Sequence, residues 1–391
     1  MMTRASEHAF LSYAFRPMFL ALGILAVVSI AVWIGTLTGA IPGTGTRGPL
    51  WHGHEMLFGF ALAAVAGFLL TAVATWTGRP PVRGIPLLTL VTAWLLGRVV
   101  LASGQPASVG VAGIAMAFPL LLTVLVAREV LLGGSRRNYP IVALVTVLAL
   151  LDGVYHLGTL GFSLNAERTA LLAALYILVI LVSVIAGRIV PSFTGNWLRD
   201  RGVTRLPANT LWVERLILPI TGLTAALALL LPENPLTGVS AALASLLHTL
   251  RLIRWRGLST VSEPLVFILH VAYAWLPVGF ALLSASVLGG AIPSTSVLHA
   301  FGAGAIGVMI LAVTTRVALG HTGRPLRASR VTAIAYIVLN VAVVARVAAP
   351  AAGTQYLAGI EVAAFGWIFA WSLFLLTYTP ILVRPRVNSG A

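Results

Sequence analysis

The chain contains no cysteine and no lysine. Without cysteine it forms no disulfide, offers no thiolate nucleophile, and holds neither an iron–sulfur cluster nor a cysteine-ligated zinc. Any metal it binds must be held by histidine, methionine or carboxylate. Charge is also scarce: 9% of the 391 residues are charged, and only ten are acidic. A soluble domain of this length needs far more charge to cover its surface. The net charge of +15 is carried wholly by arginine. In a soluble protein that excess would suggest nucleic acid. Here the arginines sit in short loops between apolar spans, where they set orientation, and no nucleic-acid partner is expected. A cleavable signal peptide is not expected either, because the first apolar span, near residues 18–38, is too long and lacks a convincing cleavage site.

What the chain has in abundance is apolar length. Hydrophobic residues make up 59% of it, and the mean hydropathy is +0.99. They come in blocks of about 20, the length a helix needs to cross a hydrocarbon core of roughly 30 Å. The pattern predicts an all-α polytopic transmembrane bundle of about twelve helices in one integral domain, with membrane lipid as its surroundings. Spans are expected at 17–39, 53–76, 85–103, 107–132, 140–161, 168–191, 209–231, 235–254, 263–288, 295–319, 329–349 and 355–382. The 38 glycines suit close helix packing. Trp and Tyr at span ends read as an interfacial belt.

Loop charge then alternates. One set holds Arg79 and Arg83, Arg136 and Arg137, Arg199, Arg201 and Arg205, Arg254 and Arg256, and Arg324, Arg327 and Arg330. Arg4, Arg384 and Arg386 in the termini fall on the same side, and the opposite loops hold little beyond Arg47 and Arg168. This asymmetry predicts that the basic loops and both termini lie in the cytoplasm.

Three descending helices end alike, in Trp76-Thr77-Gly78, Phe193-Thr194-Gly195 and His321-Thr322-Gly323. Arg188 and Arg316 each precede their Thr by six residues, and the following helices carry Arg98, Arg215 and Arg346. The chain therefore reads as three four-helix repeats, 10–137, 138–257 and 258–386. Chance Thr-Gly helix ends are the competing explanation.

Histidine is the informative residue type. Of the eight, only His8 lies clearly outside the spans; His52, His54, His156, His248, His270, His299 and His321 fall in or beside them. Polar groups at membrane depth are costly and usually functional. Helix direction places His52, His54, His156 and His299 toward the outer face and His248, His270 and His321 toward the inner one, which predicts two metal sites. His299 and His321 are 22 residues apart, about 33 Å along a straight helix, and point the same way at a constant turn, so one helix serves both sites. Imidazole suits iron, copper and zinc. A pair can hold haem b from opposite sides, and three converging can hold copper. His52 and His54 lack the i, i+4 spacing of a same-face pair; both can reach one site at a helix start, or one can ligate while the other caps.

Arg16, Arg98, Arg188, Arg215, Arg316 and Arg346 lie in or beside spans. Guanidinium forks bind carboxylates, so Arg16, Arg98, Arg188 and Arg316 are candidate partners of a cofactor such as haem through its propionates. Internal pairing with Glu55, Asp152, Glu214, Glu263 or Glu361 is an equal alternative.

Several blocks together are distinctive: Tyr13-Ala14-Phe15-Arg16-Pro17-Met18-Phe19-Leu20, then Trp51-His52-Gly53-His54-Glu55-Met56, Gly67-Phe68-Leu69-Leu70-Thr71-Ala72, Gly97-Arg98, and Gly320-His321-Thr322-Gly323-Arg324-Pro325-Leu326. In these the chain resembles the NnrS family of bacterial inner-membrane proteins over nearly its whole length. The resemblance implies twelve helices, haem and copper, and a role in nitric oxide metabolism and nitrosative stress tolerance in denitrifying and related bacteria. The seven membrane histidines match recurrent family histidines, without division between iron and copper.

Three functions follow as expectations. A haem–copper centre would bind or convert nitric oxide or a related species, with an electron donor as partner. A transporter would instead use buried Arg for a small anion and His for protons. A metal-bound sensor or assembly factor would bind without turnover.

Overall fold

A computed structural model describes residues 9–41 and 48–387; Arg4, His8 and Arg47 lie outside the described residues. Twelve helices are long and apolar enough to span a membrane. They are α1 Phe15–Leu37, α2 Pro49–Thr77, α3 Ile85–Ala102, α4 Val109–Leu132, α5 Arg136–Thr159, α6 Ala166–Arg199, α7 Leu211–Leu230, α8 Pro235–Arg254, α9 Pro264–Gly289, α10 Ser294–His321, α11 Arg330–Ala351 and α12 Gly353–Val383. No strand occurs among the described residues. The fold is all-α, and the protein is a membrane protein in contact with lipid. Ile85, Leu95, Val99, Phe365 and Leu376 all present more than half of their surface outward; in a bilayer such surface already faces an apolar solvent.

Two boundaries differ from the sequence reading for physical reasons. The start of α2 is Pro49, placed in its first turn, so His52 and His54 lie inside the helix. The helix α6 does not stop near 191 but runs through Pro191 and Gly195 to Arg199. Leu198 is buried almost completely, which extends the apolar stripe past the expected stop. The Thr-Gly ends of α2 and α10 are true ends: Gly78 and Gly323 take φ of +69° and +73°, the left-handed conformation that closes a helix.

Two spans are interrupted in the same way. In α2 a short helical piece, Pro49–His54, leads into a π-helical stretch, Glu55–Ala61. In α10 the piece Ser294–His299 leads into the π stretch Ala300–Val308. Each π stretch thus begins directly after a histidine. Such widened turns interrupt the regular hydrogen-bond ladder and are frequent at functional sites. The extrapolation from His299 to His321 crosses the second of them, so the constant turn it assumes does not hold there.

The chain divides into two compact units. The first comprises Met1–Ile177, Thr314–Leu326 and Trp371–Ala391. Within it, glycines set the helix contacts: Gly67 of α2 lies against Phe19, Gly97 of α3 against Ala115, and Gly153 of α5 against Met116. The second comprises Leu178–Val313 and Arg327–Ala370. There Gly238 of α8 meets Leu288, Gly279 of α9 meets Phe301, and Gly366 of α12 meets Ala342. Small residues of this kind let helix backbones approach where lipid offers no hydrophobic drive to pack.

Candidate metal centre

In the first unit, His54 of α2 meets Asp152 and His156 of α5. One nitrogen or oxygen from each lies within 4.8 Å of the others, and all three side chains are buried. Asp152 and His156 are one turn apart on the same helix face, the i, i+4 spacing that presents both donors to one point. His54 Nε2 lies 2.8 Å from Asp152 Oδ1, at hydrogen-bond distance. His156 Nε2 is buried, makes no hydrogen bond, and sits 3.9 Å from the same oxygen.

A second layer supports the first. His54 Nδ1 lies 3.4 Å from Glu55 Oε1, and Arg98 Nη1 of α3 donates to that oxygen at 2.8 Å. Gly59 makes the room: a Cβ there would meet Arg98 Nη1 at 2.7 Å and Leu25 at 2.8 Å. Trp94 Nε1 donates to the Gly59 carbonyl at 2.9 Å and ties α3 to the π stretch. The His54 ring thus lies between two carboxylates. A neutral imidazole has one N–H and one lone pair, so it turns the lone pair toward one of them. Two carboxylates and one guanidinium also leave the cluster one positive charge short. A proton or a metal cation satisfies both requirements.

The chain matches the family model described as NnrS protein over residues 9–386. It belongs to the NnrS family. Membership connects it to the nitric oxide response. Comparison with curated proteins finds no match.

For a member of the NnrS family, the groups to test are copper and haem. Two imidazoles and a carboxylate, with one imidazole nitrogen lacking a hydrogen bond, fit a single copper or iron ion. The cluster does not fit a macrocycle. Around His54 the ring centroids of Tyr155, Phe58 and His156 stand at 4.4, 5.2 and 5.3 Å, in the space a porphyrin plane would need.

The other histidines have separate surroundings. His52 stacks on Trp33 with ring centroids 5.1 Å apart and planes 10° from parallel. Two helical residues are about 200° apart around the axis, so His52 and His54 face different neighbours. His299, half-buried in the second unit, donates from Nδ1 to the Thr295 carbonyl at 2.7 Å, which leaves the lone pair on Nε2. His270 sits 3.2 Å from both the Val266 carbonyl and Thr194 Oγ1. His321 lies in the first unit against Tyr13 and Phe15.

His248 is fully buried, and both its nitrogens meet protein groups. Thr221 Oγ1 donates to the Ile217 carbonyl at 2.6 Å, so it accepts from His248 Nε2 at 3.1 Å. His248 Nδ1 then accepts from the Tyr273 hydroxyl at 2.7 Å, and that hydroxyl accepts from Arg251 Nη1 at 3.2 Å. Arg251 also holds Glu214 through two nitrogens, at 2.9 and 2.5 Å.

Among the candidate arginines, Arg98 pairs with Glu55 as above. Arg16 donates from Nη1 to the Leu382 and Arg384 carbonyls at 2.8 and 2.6 Å, covering the end of α12. Arg316 is buried in the first unit, and Arg188 is half-buried in the second. Glu214 pairs with Arg251 rather than with Arg215. Sequence reasoning named Asp152 only as a possible arginine partner. The signal for a ligand role was present in its four-residue spacing from His156.

Proposed function

We propose that the chain binds nitric oxide, or a closely related small species, at a metal ion held within the bilayer by His54, Asp152 and His156. The observation that carries this reading is the meeting of three buried ligand atoms within 4.8 Å, in a family tied to the nitric oxide response. Two His and one carboxylate are the donor set of non-haem iron sites with open positions, and imidazole equally suits copper. A copper or iron ion held there would supply an open coordination position for a diatomic ligand.

The chain's own residues do the rest. Asp152 and His156 present two donors from one turn of α5. Glu55 backs His54 from its Nδ1 side, and Arg98 fixes Glu55; outer partners of this kind orient a ligand and tune its basicity. Phe58 and Tyr155 keep water from the His54 ring. The surrounding hydrocarbon admits an uncharged gas and disfavours hydrated ions. Haem b, implied by the family resemblance, then belongs to histidines outside this cluster. Turnover would need an electron donor. The arginine loops favour cytoplasmic termini, and the family resemblance favours the bacterial inner membrane.

A second reading, a transporter that moves protons, is favoured by one contact: the direct 2.8 Å approach of His54 to Asp152 closes a network without any metal. Nitric oxide titration of the purified reduced protein separates the two. Binding gives a non-haem iron or copper nitrosyl signal in the wild type that Asp152→Asn lacks, while any haem signal is common to both. An unchanged spectrum from metal-replete protein rejects the metal reading and favours the transporter.

A further inference from the structure

Two of the distinctive sequence blocks, far apart in the chain, meet within the first unit. The block Tyr13 to Leu20, which holds Arg16, opens α1, and the block Gly320 to Leu326, which holds His321 and Arg324, closes α10. His321 packs on Tyr13 and Phe15 with ring centroids 5.9 and 5.6 Å apart. The chain after α12 joins them: Val387 N donates to the Thr322 carbonyl at 3.0 Å, and Arg16 Nη1 holds the carbonyls of Leu382 and Arg384. A Cβ at Gly323, whose φ is +73°, would strike the Val387 carbonyl and crowd the Arg386 side chain.

Four arginines come together here: Arg324 is close enough to Arg16, and Arg384 to Arg324, for their charges to act on each other, and the Arg386 side chain lies against Gly323. Arg324 Nη1 is buried with no hydrogen-bond partner, and Arg16 Nε is likewise unpartnered, among the described residues. The carboxylates described in this unit lie elsewhere: Glu55 pairs with Arg98, Glu129 with Arg79 and Asp152 with His54, and Glu167 packs beside Gly158. Burial, and then the like charge of Arg384, push Arg324 below the usual guanidinium range. A guanidinium stays charged at any physiological pH, so such crowding calls for an anion rather than for loss of a proton.

The position says which anion. The start of α1 and the ends of α10 and α12 are ends of membrane-spanning helices; such ends fall in the headgroup region, where basic pockets between helices take lipid phosphates. Arg384 and Arg386 are exposed, Arg324 is half-buried and Arg16 is buried, a gradation that runs from the water side into the protein. We infer that Arg16, Arg324, Arg384 and Arg386 form a binding site for the phosphate of an anionic phospholipid headgroup, seated between the ends of α1, α10 and α12. Arg324 Nη1 supplies the inner hydrogen bond, and the exposed pair closes over the phosphate from outside.

The test uses the full-length protein in neutral detergent. Dihexanoyl phosphatidylglycerol, dihexanoyl phosphatidylcholine and inorganic phosphate are titrated separately at constant ionic strength while the unfolding temperature is followed. The expected result is a saturable rise with phosphatidylglycerol and none with phosphatidylcholine. In Arg324→Gln the apparent affinity falls about tenfold or more, the loss expected for one hydrogen bond to a charged group. Arg16→Gln removes the cover of α12 as well, so Arg324→Gln carries the test, with the exposed Arg201→Gln of the second unit as control. An equal rise with inorganic phosphate, lost in Arg324→Gln, retains the phosphate site and overturns the lipid source. No rise in the wild type, or the same rise in Arg324→Gln, overturns the site.

Discussion

Arg98 and Glu55 meet at 2.8 Å between α3 and the π stretch of α2, with their side chains 8% and 3% exposed. At membrane depth neither charge is stable alone, and together they place one carboxylate oxygen beside His54. Arg98→Leu leaves Glu55 buried without its guanidinium. The expected loss is about 3–5 kcal/mol, the cost typical of breaking a buried pair. The double variant Glu55→Leu/Arg98→Leu loses less, because no lone charge remains. Thermal unfolding of the three proteins in one detergent checks the order.

Glu55→Gln keeps the shape of the side chain and removes its charge. If Glu55 tunes His54 from behind, metal affinity falls by about 10–100-fold, as for other outer-sphere partners of a ligating histidine. Competition with a chelator of known affinity measures it. An unchanged affinity would remove Glu55 from the metal's surroundings.

Gly59→Ala places a methyl group where Arg98 Nη1 and Leu25 now stand. Overpacking of this kind typically costs about 1–3 kcal/mol. It also displaces the Arg98–Glu55 pair, so reduced metal affinity should accompany the lower unfolding temperature. Gly113→Ala is the control, since a methyl group there meets nothing within 4 Å.

In the second unit, Tyr273→Phe removes the hydroxyl that donates to His248 Nδ1. A buried ring nitrogen is left without its partner, at a cost of about 1–3 kcal/mol. Arg251 keeps the Ser183 carbonyl and Glu214, so the unit still folds. Because this network is separate from His54, Asp152 and His156, metal bound at that cluster should stay unchanged. A fall in metal content with Tyr273→Phe would couple the two.

The spans were legible because the hydrocarbon thickness sets a minimum apolar length, and each of α1 to α12 meets it. What lay beyond the reach of that pattern is local. The run through Pro191 to Arg199 depends on Leu198 finding a buried place, which no loop signal reports. The π stretches after His54 and His299 occur where nearly every residue is apolar, so no periodicity betrays a widened turn. His52 and His54, adjacent in the pattern, separate because two residues of helix turn them to different neighbours. Asp152 is hidden because a lone acid among apolar residues reads as a charge to be paired before it reads as an oxygen four residues from His156.

The most direct measurement is metal content per chain, by elemental analysis of purified protein grown with iron and copper, in the wild type and in Asp152→Asn, His156→Ala and His248→Ala. The expected result is a bound copper or non-haem iron ion, counted after subtracting haem iron, in the wild type and in His248→Ala, and its loss from folded Asp152→Asn and His156→Ala. A folded wild type without either metal, or full retention in both cluster variants, would contradict a metal centre at His54, Asp152 and His156.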